Sequence, residues 1–175
     1  MGSFWIVLST FFISCAYVSI KAMPVSMAFY EIFLLRSIVV LSVAICLVAA
    51  TKTSLKTPEP PIRTLFWFAL ACTVSGAAAT LMFSKGLQAE HVFSIPVLLM
   101  GVFTALGQWT QNIGWKKGKT LLCASLQFSA VIFAVIFGYL FFDEIPDAFT
   151  FLGILIIVAA SLGATIFRLK YYKEG

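Results

Sequence analysis

Six long apolar runs, joined by connections whose charges alternate in sign, constrain this chain more than any other feature. The runs cover roughly residues 4–20, 27–50, 64–84, 92–114, 120–142 and 148–167. At about 20 residues each, they match the length of helix that crosses a ~30 Å hydrocarbon layer. Of the twelve Lys and Arg, nine fall in three places: Lys52, Lys56 and Arg63; Lys116, Lys117 and Lys119; Arg168, Lys170 and Lys173. These places are the second connection, the fourth connection and the C-terminal tail. The odd-numbered connections carry acids instead: Glu90, then Asp143, Glu144 and Asp147. Six spans put all three basic clusters on one side, and the positive-inside rule makes that side the cytoplasm. The sequence therefore predicts an all-α membrane protein with six transmembrane helices and both termini, N and C, cytoplasmic.

Composition narrows the alternatives. The 175 residues are 61% hydrophobic and 11% charged, well short of the ~25% charged residues of a soluble domain. A β-barrel strand alternates over about ten residues, whereas these runs are continuously apolar. The net charge of +5 sits in short loops beside apolar runs, where cytoplasmic orientation and anionic lipid account for it. A nucleic-acid partner is not expected. Cys15, Cys46, Cys72 and Cys123 all lie inside apolar runs, none forms a CxxC pair, and His91 is the single histidine. Neither metal ligation nor a disulfide framework is expected from such a set. The first run lacks a basic segment before it, and Tyr17 to Met23 offers no small-x-small cleavage site. It is read as a retained first span.

The longest break is Thr51 to Arg63, TKTSLKTPEPPIR, which reads as an extended surface linker. The other connections are short, so neighbouring helices run antiparallel in one compact bundle. A single polytopic membrane domain over residues 1–175 is expected.

Polar side chains within the runs should face the bundle interior. On the fourth run Gly101, Thr104, Ala105, Gln108, Gln111 and Asn112 share about a third of the circumference at 3.6 residues per turn. On the first, Thr10, Ser14, Tyr17 and Lys21 recur at helical spacing; on the third, Thr73, Ala77, Thr80 and Ser84 do the same. The fifth adds Ser125 and Ser129 on one face and Gln127 on another. Small and hydroxylated residues serve as helix–helix contacts. For the carboxamides Gln108, Gln111 and Asn112 two roles stand side by side: interhelical hydrogen bonds, or the lining of a watered path.

Arg36 stands nine residues into the second run, roughly 14 Å deep at ~1.5 Å per residue. A central Arg costs about 3 kcal/mol on insertion scales. Glu31 on the same helix is turned about 140° away by its five-residue offset and does not face it. Arg36 is expected to face the bundle or an anionic ligand, or else to bond backbone carbonyls. His91 and the three acids near residue 145 read as solvated surface groups. No nucleophile–base–acid set is present, so the chain is not read as an enzyme and no cofactor is expected.

The stretches GVFTALGQWTQNIGWKKGKT and SLQFSAVIFAVIFGYLFFDEIPDAFTFLGILIIVAASL, from Gly101 onward, resemble the C-terminal end of the drug/metabolite transporter superfamily, EamA type. That family shows a helix, a short basic turn, a helix ending in an apolar-Gly-Glu-like turn, and a last helix opening near a Gly. Here Asp143-Glu144 stands at the Gly-Glu position, and Gly153 matches the helix glycine. MAFYEIFLLRSIVVL resembles the family's second helix, including a Phe-x-x-Arg-like element ending at Arg36. Members typically have ten helices in two inverted repeats around a central path; this chain has six runs, an even-numbered difference that preserves the orientation of the last helices.

The resemblance implies a multi-pass protein of the cell inner membrane that transports small metabolites, with amino acids and drug-like compounds as candidate cargo. It implies an exporter, working as a dimer because six helices supply only part of an alternating-access carrier. The expected path is lined by Arg36, Gln108, Gln111 and Asn112, then Thr10, Ser14 and Thr80. The expected partners are a small-molecule substrate, the lipid bilayer, and a second copy or another membrane protein. The other reading is a non-transporting membrane interaction protein, an accessory subunit or an inactive shortened transporter.

Overall fold

The computed structural model describes residues 2–23, 27–51, 61–83 and 94–171, and 91% of these are helical with no strand among them. The helices are α1 (Gly2–Lys21), α2 (Phe29–Thr51), α3 (Pro61–Phe83), α4 (Ile95–Lys117), α5 (Thr120–Gln127), α6 (Ser129–Phe142) and α7 (Ala148–Tyr171). Their ends lie within a few residues of the apolar-run boundaries. Most of the linker (52–60), Glu90, His91 and Lys173 lie outside the described residues. The linker was expected to reach Arg63, but α3 already begins at Pro61. Proline suits a first helical turn, where its missing N–H has no partner to lose.

The fifth run is a broken rod, not the continuous helix expected over 120–142. At Phe128 the backbone tightens: its N–H donates to the Ser125 carbonyl at 3.3 Å, and the Val131 N–H donates to Phe128 at 3.1 Å. The Ser129 hydroxyl takes the Leu126 carbonyl at 2.6 Å. The same i−3 hydroxyl bond occurs at Ser9, Ser37 and Thr110 within unbroken helices, so it accompanies the break without explaining it. The two pieces, α5 and α6, still form one apolar rod over Leu122–Phe142.

Contacts between helix ends establish the antiparallel order. Gly2 lies against Gly118 at the end of α4. The Asn112 amide donates to the Pro61 carbonyl at 3.3 Å, joining the end of α4 to the start of α3. At the opposite end the Tyr30 hydroxyl donates to the Phe83 carbonyl at 3.2 Å. There too Lys21 forms an ion pair with Glu144 and lies 4.6 Å from the Phe142 ring centroid. Glu144 is an exposed turn residue, as expected, and its surface ion pair also joins the end of α1 to the end of α6. One end of the bundle thus carries Arg63, Lys116, Lys117 and Lys119, and the other Glu31, Asp143, Glu144 and Asp147.

The packed centre is α1 to α4. Val40, Ala44, Leu65, Ala69 and Ala105 form one buried cluster across α2, α3 and α4. Met23, Leu35, Val97 and Met100 form a second near the acidic end. The α1–α4 seam is closer still. A Cβ at Gly107 would sit 2.7 Å from Ile13 Cγ1 and 3.3 Å from the Ser9 carbonyl oxygen, so only a hydrogen fits there. Small residues that let backbones approach are what drives helix association in lipid.

The periphery is different. α6 buries no residue, and α7 packs mainly against α5. Large apolar side chains such as Leu140, Phe141, Phe149, Leu152 and Ile156 are more than half exposed. In water this would be an unusual surface; in hydrocarbon it is the surface facing the solvent, while the helical backbone satisfies its own polar groups. Four helices (α1, α2, α3 and the α5–α6 rod) are long and apolar enough to cross a membrane. α4 is the least apolar of the long helices because it carries the carboxamides.

Asp143 ends α6 in the left-handed region, with φ 51°. Its N–H reaches the Tyr139 carbonyl at 3.1 Å and the Glu144 N–H reaches Gly138 at 3.2 Å. This is the terminating turn that glycine adopts without Cβ strain. Asp143→Gly is therefore expected to stabilise the protein by about 1 kcal/mol, read as a higher unfolding temperature in detergent. Two residues later the chain restarts. Asp147 Oδ1 accepts from the Thr150 N–H at 3.0 Å, capping α7. Hydrogen bonds from the Thr150 side chain, and then from its backbone, hold the Asp147 carboxyl below its ordinary value of 3.8. A lowered folded-state pKa means that the cap contributes fully above pH 3.8 and is lost as pH falls further. Protection from hydrogen exchange at the first turn of α7, taken relative to the intrinsic rate at each pH, should fall below that pH, and Asp147→Asn should remove this pH dependence of the protection while keeping the cap.

Candidate functional site

The α4 carboxamides stand where two cavities meet. The first, about 140 Å³, lies among α1, α2 and α4, lined by Ile13, Ala16, Tyr17, Ile20, Arg36, Thr104, Gln108 and Gln111. The second, about 220 Å³, lies between α3 and α4, lined by Thr64, Leu65, Phe68, Gln108, Gln111, Asn112 and Trp115. Helix direction sets their heights. The first cavity uses the end of α1, the start of α2 and the middle of α4, so it occupies the acidic-end half. The second uses the start of α3 and the later part of α4, so it occupies the basic-end half.

Arg36 is half-buried in α2. From the observed helix start at Phe29 it is seven residues in, about 10 Å at ~1.5 Å per residue, shallower than the run boundary suggested. Its guanidinium carbon is 5.9 Å from the Phe33 ring centroid, the outer limit of a cation–π contact. Among the described residues no carboxylate pairs with it. Glu31 turns back instead, its Oε2 accepting from the Ala28 N–H at 3.4 Å. No acid lines either cavity, so Arg36 is the one charged side chain on their walls.

Gln108 Oε1 is buried and has no hydrogen-bond partner among the described residues. Leaving a buried acceptor unmet costs about 1–3 kcal/mol. Asn112 is different: its amide is committed to Pro61 at 3.3 Å, tying α4 to α3 at the wall of the second cavity.

The three hydroxyl candidates sit elsewhere. Thr10 is buried, donates to or accepts from Ser129 at 2.9 Å, and bonds the Val7 carbonyl at 2.8 Å. Ser14 donates to the Thr10 carbonyl at 2.8 Å. Thr80 donates to the Gly76 carbonyl at 2.9 Å. None of the three lines the cavities above. Their hydroxyls are satisfied within the helices, and Thr10 also ties α1 to α6. The structure thus gathers Arg36, Gln108, Gln111 and Asn112 and leaves Thr10, Ser14 and Thr80 in helix contacts.

Sequence reasoning passed over Thr104 and Tyr17 as lining groups, although both stood on the stripes already identified. Thr64, Phe68 and Trp115 carried no such signal: they belong to apolar helix ends and become lining only because α3 and α4 cross there.

No curated protein and no solved structure matches this chain. Residues 90–166, which contain α4 with its carboxamides and most of α7, match the EamA-like transporter family, consistent with a member of the drug/metabolite transporter superfamily.

Proposed function

We propose that this protein exports a small anionic or zwitterionic metabolite across the cell inner membrane, with both termini in the cytoplasm. The observation that carries the reading is one cavity wall that holds both Arg36, with no carboxylate partner among the described residues, and Gln108, whose buried oxygen has no hydrogen-bond partner among them. A charge kept inside an apolar bundle without a partner marks a ligand or pathway position. The ligand's anionic group would take the place of the missing carboxylate, and an N–H or O–H on the same ligand would meet Gln108. Gln111 and Asn112 complete the polar wall. A cavity of about 140 Å³ is below the ~300–1,000 Å³ of drug-sized sites, which favours small metabolites, amino acids included, over drug-like compounds. The positive-inside rule supports the orientation, since Arg63, Lys116, Lys117 and Lys119 share one end.

We further propose that two copies act together. Alternating access needs two halves moving around a central site. Between α6 and α7 a wedge of about 650 Å³ is lined by apolar residues such as Val131, Ala134, Val135 and Ile154, with Glu144, Asp147 and Thr150 at its acidic end, and its apolar part is suited to helices of another chain. The same wedge favours the second reading, a membrane interaction protein or accessory subunit without flux. Purified protein in proteoliposomes, loaded with labelled small anions and amino acids, separates the two. Flux that falls in Arg36→Ala and Gln108→Ala at equal incorporation supports transport. No flux, together with a stoichiometric heterologous partner in mild detergent, supports the second reading.

A further inference from the structure

Among the described residues, Gln108 and Gln111 alone line both cavities. The cavities lie in opposite halves of the bundle: one reaches toward the end with Lys21 and Glu144, the other toward the end with Pro61 and Lys117. Two vestibules at different depths, divided by two shared flexible side chains, have the form of an interrupted path. We infer that Gln108 and Gln111 are its gate: a carboxamide partition, closed in this conformation, that separates an Arg36 vestibule from an Asn112 vestibule. The inference rests on the transport reading above and adds to it where the path is shut and by what.

The chemistry suits a gate better than a brace. A bracing amide meets its partners, as Asn112 does with Pro61. Gln108 instead holds its oxygen buried and unmet, so the closed arrangement gives up a hydrogen bond that the open one recovers from water or ligand. Gln111 lies three residues further, on the same side of α4. The backbone around the pair has little freedom: α4 is clamped to α1 at Gly107, where a Cβ would meet Ile13 and Ser9, and to α3 through Asn112. Opening is therefore assigned to rotation of the two side chains about their χ angles, with the helix staying in place.

The test reads water access and needs no substrate. In a background with Cys15, Cys46, Cys72 and Cys123 replaced by Ser, single cysteines are placed at Thr104 for the first vestibule and at Thr64 for the second. A membrane-impermeant methanethiosulfonate reagent is applied to either face of oriented vesicles. With both glutamines present, Thr104→Cys should label only from the acidic-end face and Thr64→Cys only from the basic-end face. With Gln108→Ala and Gln111→Ala combined, labelling from the opposite face should appear at both positions. If the double alanine variant does not elute as a folded species, Gln108→Ser with Gln111→Ser replaces it. Labelling of Thr104→Cys from the basic-end face with both amides intact would overturn the gate. So would one-sided labelling that survives removal of both, or no labelling of either cysteine. Failure of the transport reading shows separately, as flux that Arg36→Ala leaves unchanged, a substitution that should not alter the sidedness of labelling.

Discussion

Arg36→Ala is expected to lower flux at least about tenfold at equal membrane incorporation, equivalent to ~1.4 kcal/mol or more of lost ligand interaction. Truncating one member of a desolvated, hydrogen-bonded charge pair typically costs 2–5 kcal/mol, so tenfold is a modest bound. Arg36→Lys keeps the charge but loses the planar fork that grips a carboxylate, and should retain part of the activity. Stability separates a ligand role from a structural one. Arg36 has no ion-pair partner among the described residues, and an Arg within the bilayer is disfavoured by about 3 kcal/mol on insertion scales. Arg36→Leu should therefore unfold at the same or a higher temperature in detergent while flux falls. A structural Arg bonded to carbonyls would show the opposite: lower stability, with flux declining only as folded protein is lost.

Gly107→Val should give the largest loss of folded protein. Even the Cβ of alanine at this position would press on Ile13 Cγ1 at 2.7 Å and approach the Ser9 carbonyl oxygen at 3.3 Å. Overpacking of this kind costs about 1–3 kcal/mol, and valine adds two methyl groups to the same space. The α1–α4 seam also carries the walls of the first cavity, so separating the helices should abolish flux together with stability. Gly107→Ala should destabilise less than Gly107→Val, and adding Ile13→Ala should recover part of the Gly107→Ala loss, because the nearest clashing atom is then absent while the Ser9 carbonyl oxygen at 3.3 Å still presses on the new methyl. Monodispersity and unfolding temperature in detergent, compared across the four proteins of this cycle, measure that coupling. If Gly107→Val leaves both unchanged, the two helices are not held at the distance described here.

Much of the architecture was legible before any coordinates, because in hydrocarbon the rules are local. A run such as residues 27–50 must be helical to satisfy its own backbone, and its length alone says that it can span. Charge bands order the ends, and Lys116-Lys117 with Arg63 do gather opposite Asp143 and Glu144. The carboxamide stripe on α4 was also visible, since helical periodicity places Gln108, Gln111 and Asn112 without reference to any neighbour. The break at Phe128 was not legible because no Pro or Gly stands near it in the sequence. Ser129, just after it, bonds Thr10 of α1, a contact that only the packed helices supply.

Periodicity says which residues share a face; it does not say what stands opposite. Thr10, Ser14 and Thr80 had the spacing of path residues, yet their hydroxyls close on their own helices or on a neighbour. Glu144 is the exposed acid that the sequence suggested, but only the packing brings Lys21 at the end of α1 beside it. The sequence by itself determined the helices, their order and the polar face of α4, all consequences of hydrogen bonding and hydrophobicity along one segment. Only the tertiary structure decided that Arg36 has no carboxylate partner among the described residues, that the Gln108 oxygen is buried without a partner among them, and that Gln108 and Gln111 line two cavities at once. Each of those depends on how closely separate helices approach, and that distance is set by side-chain volumes at contacts, such as Gly107 against Ile13, that lie far apart in the chain.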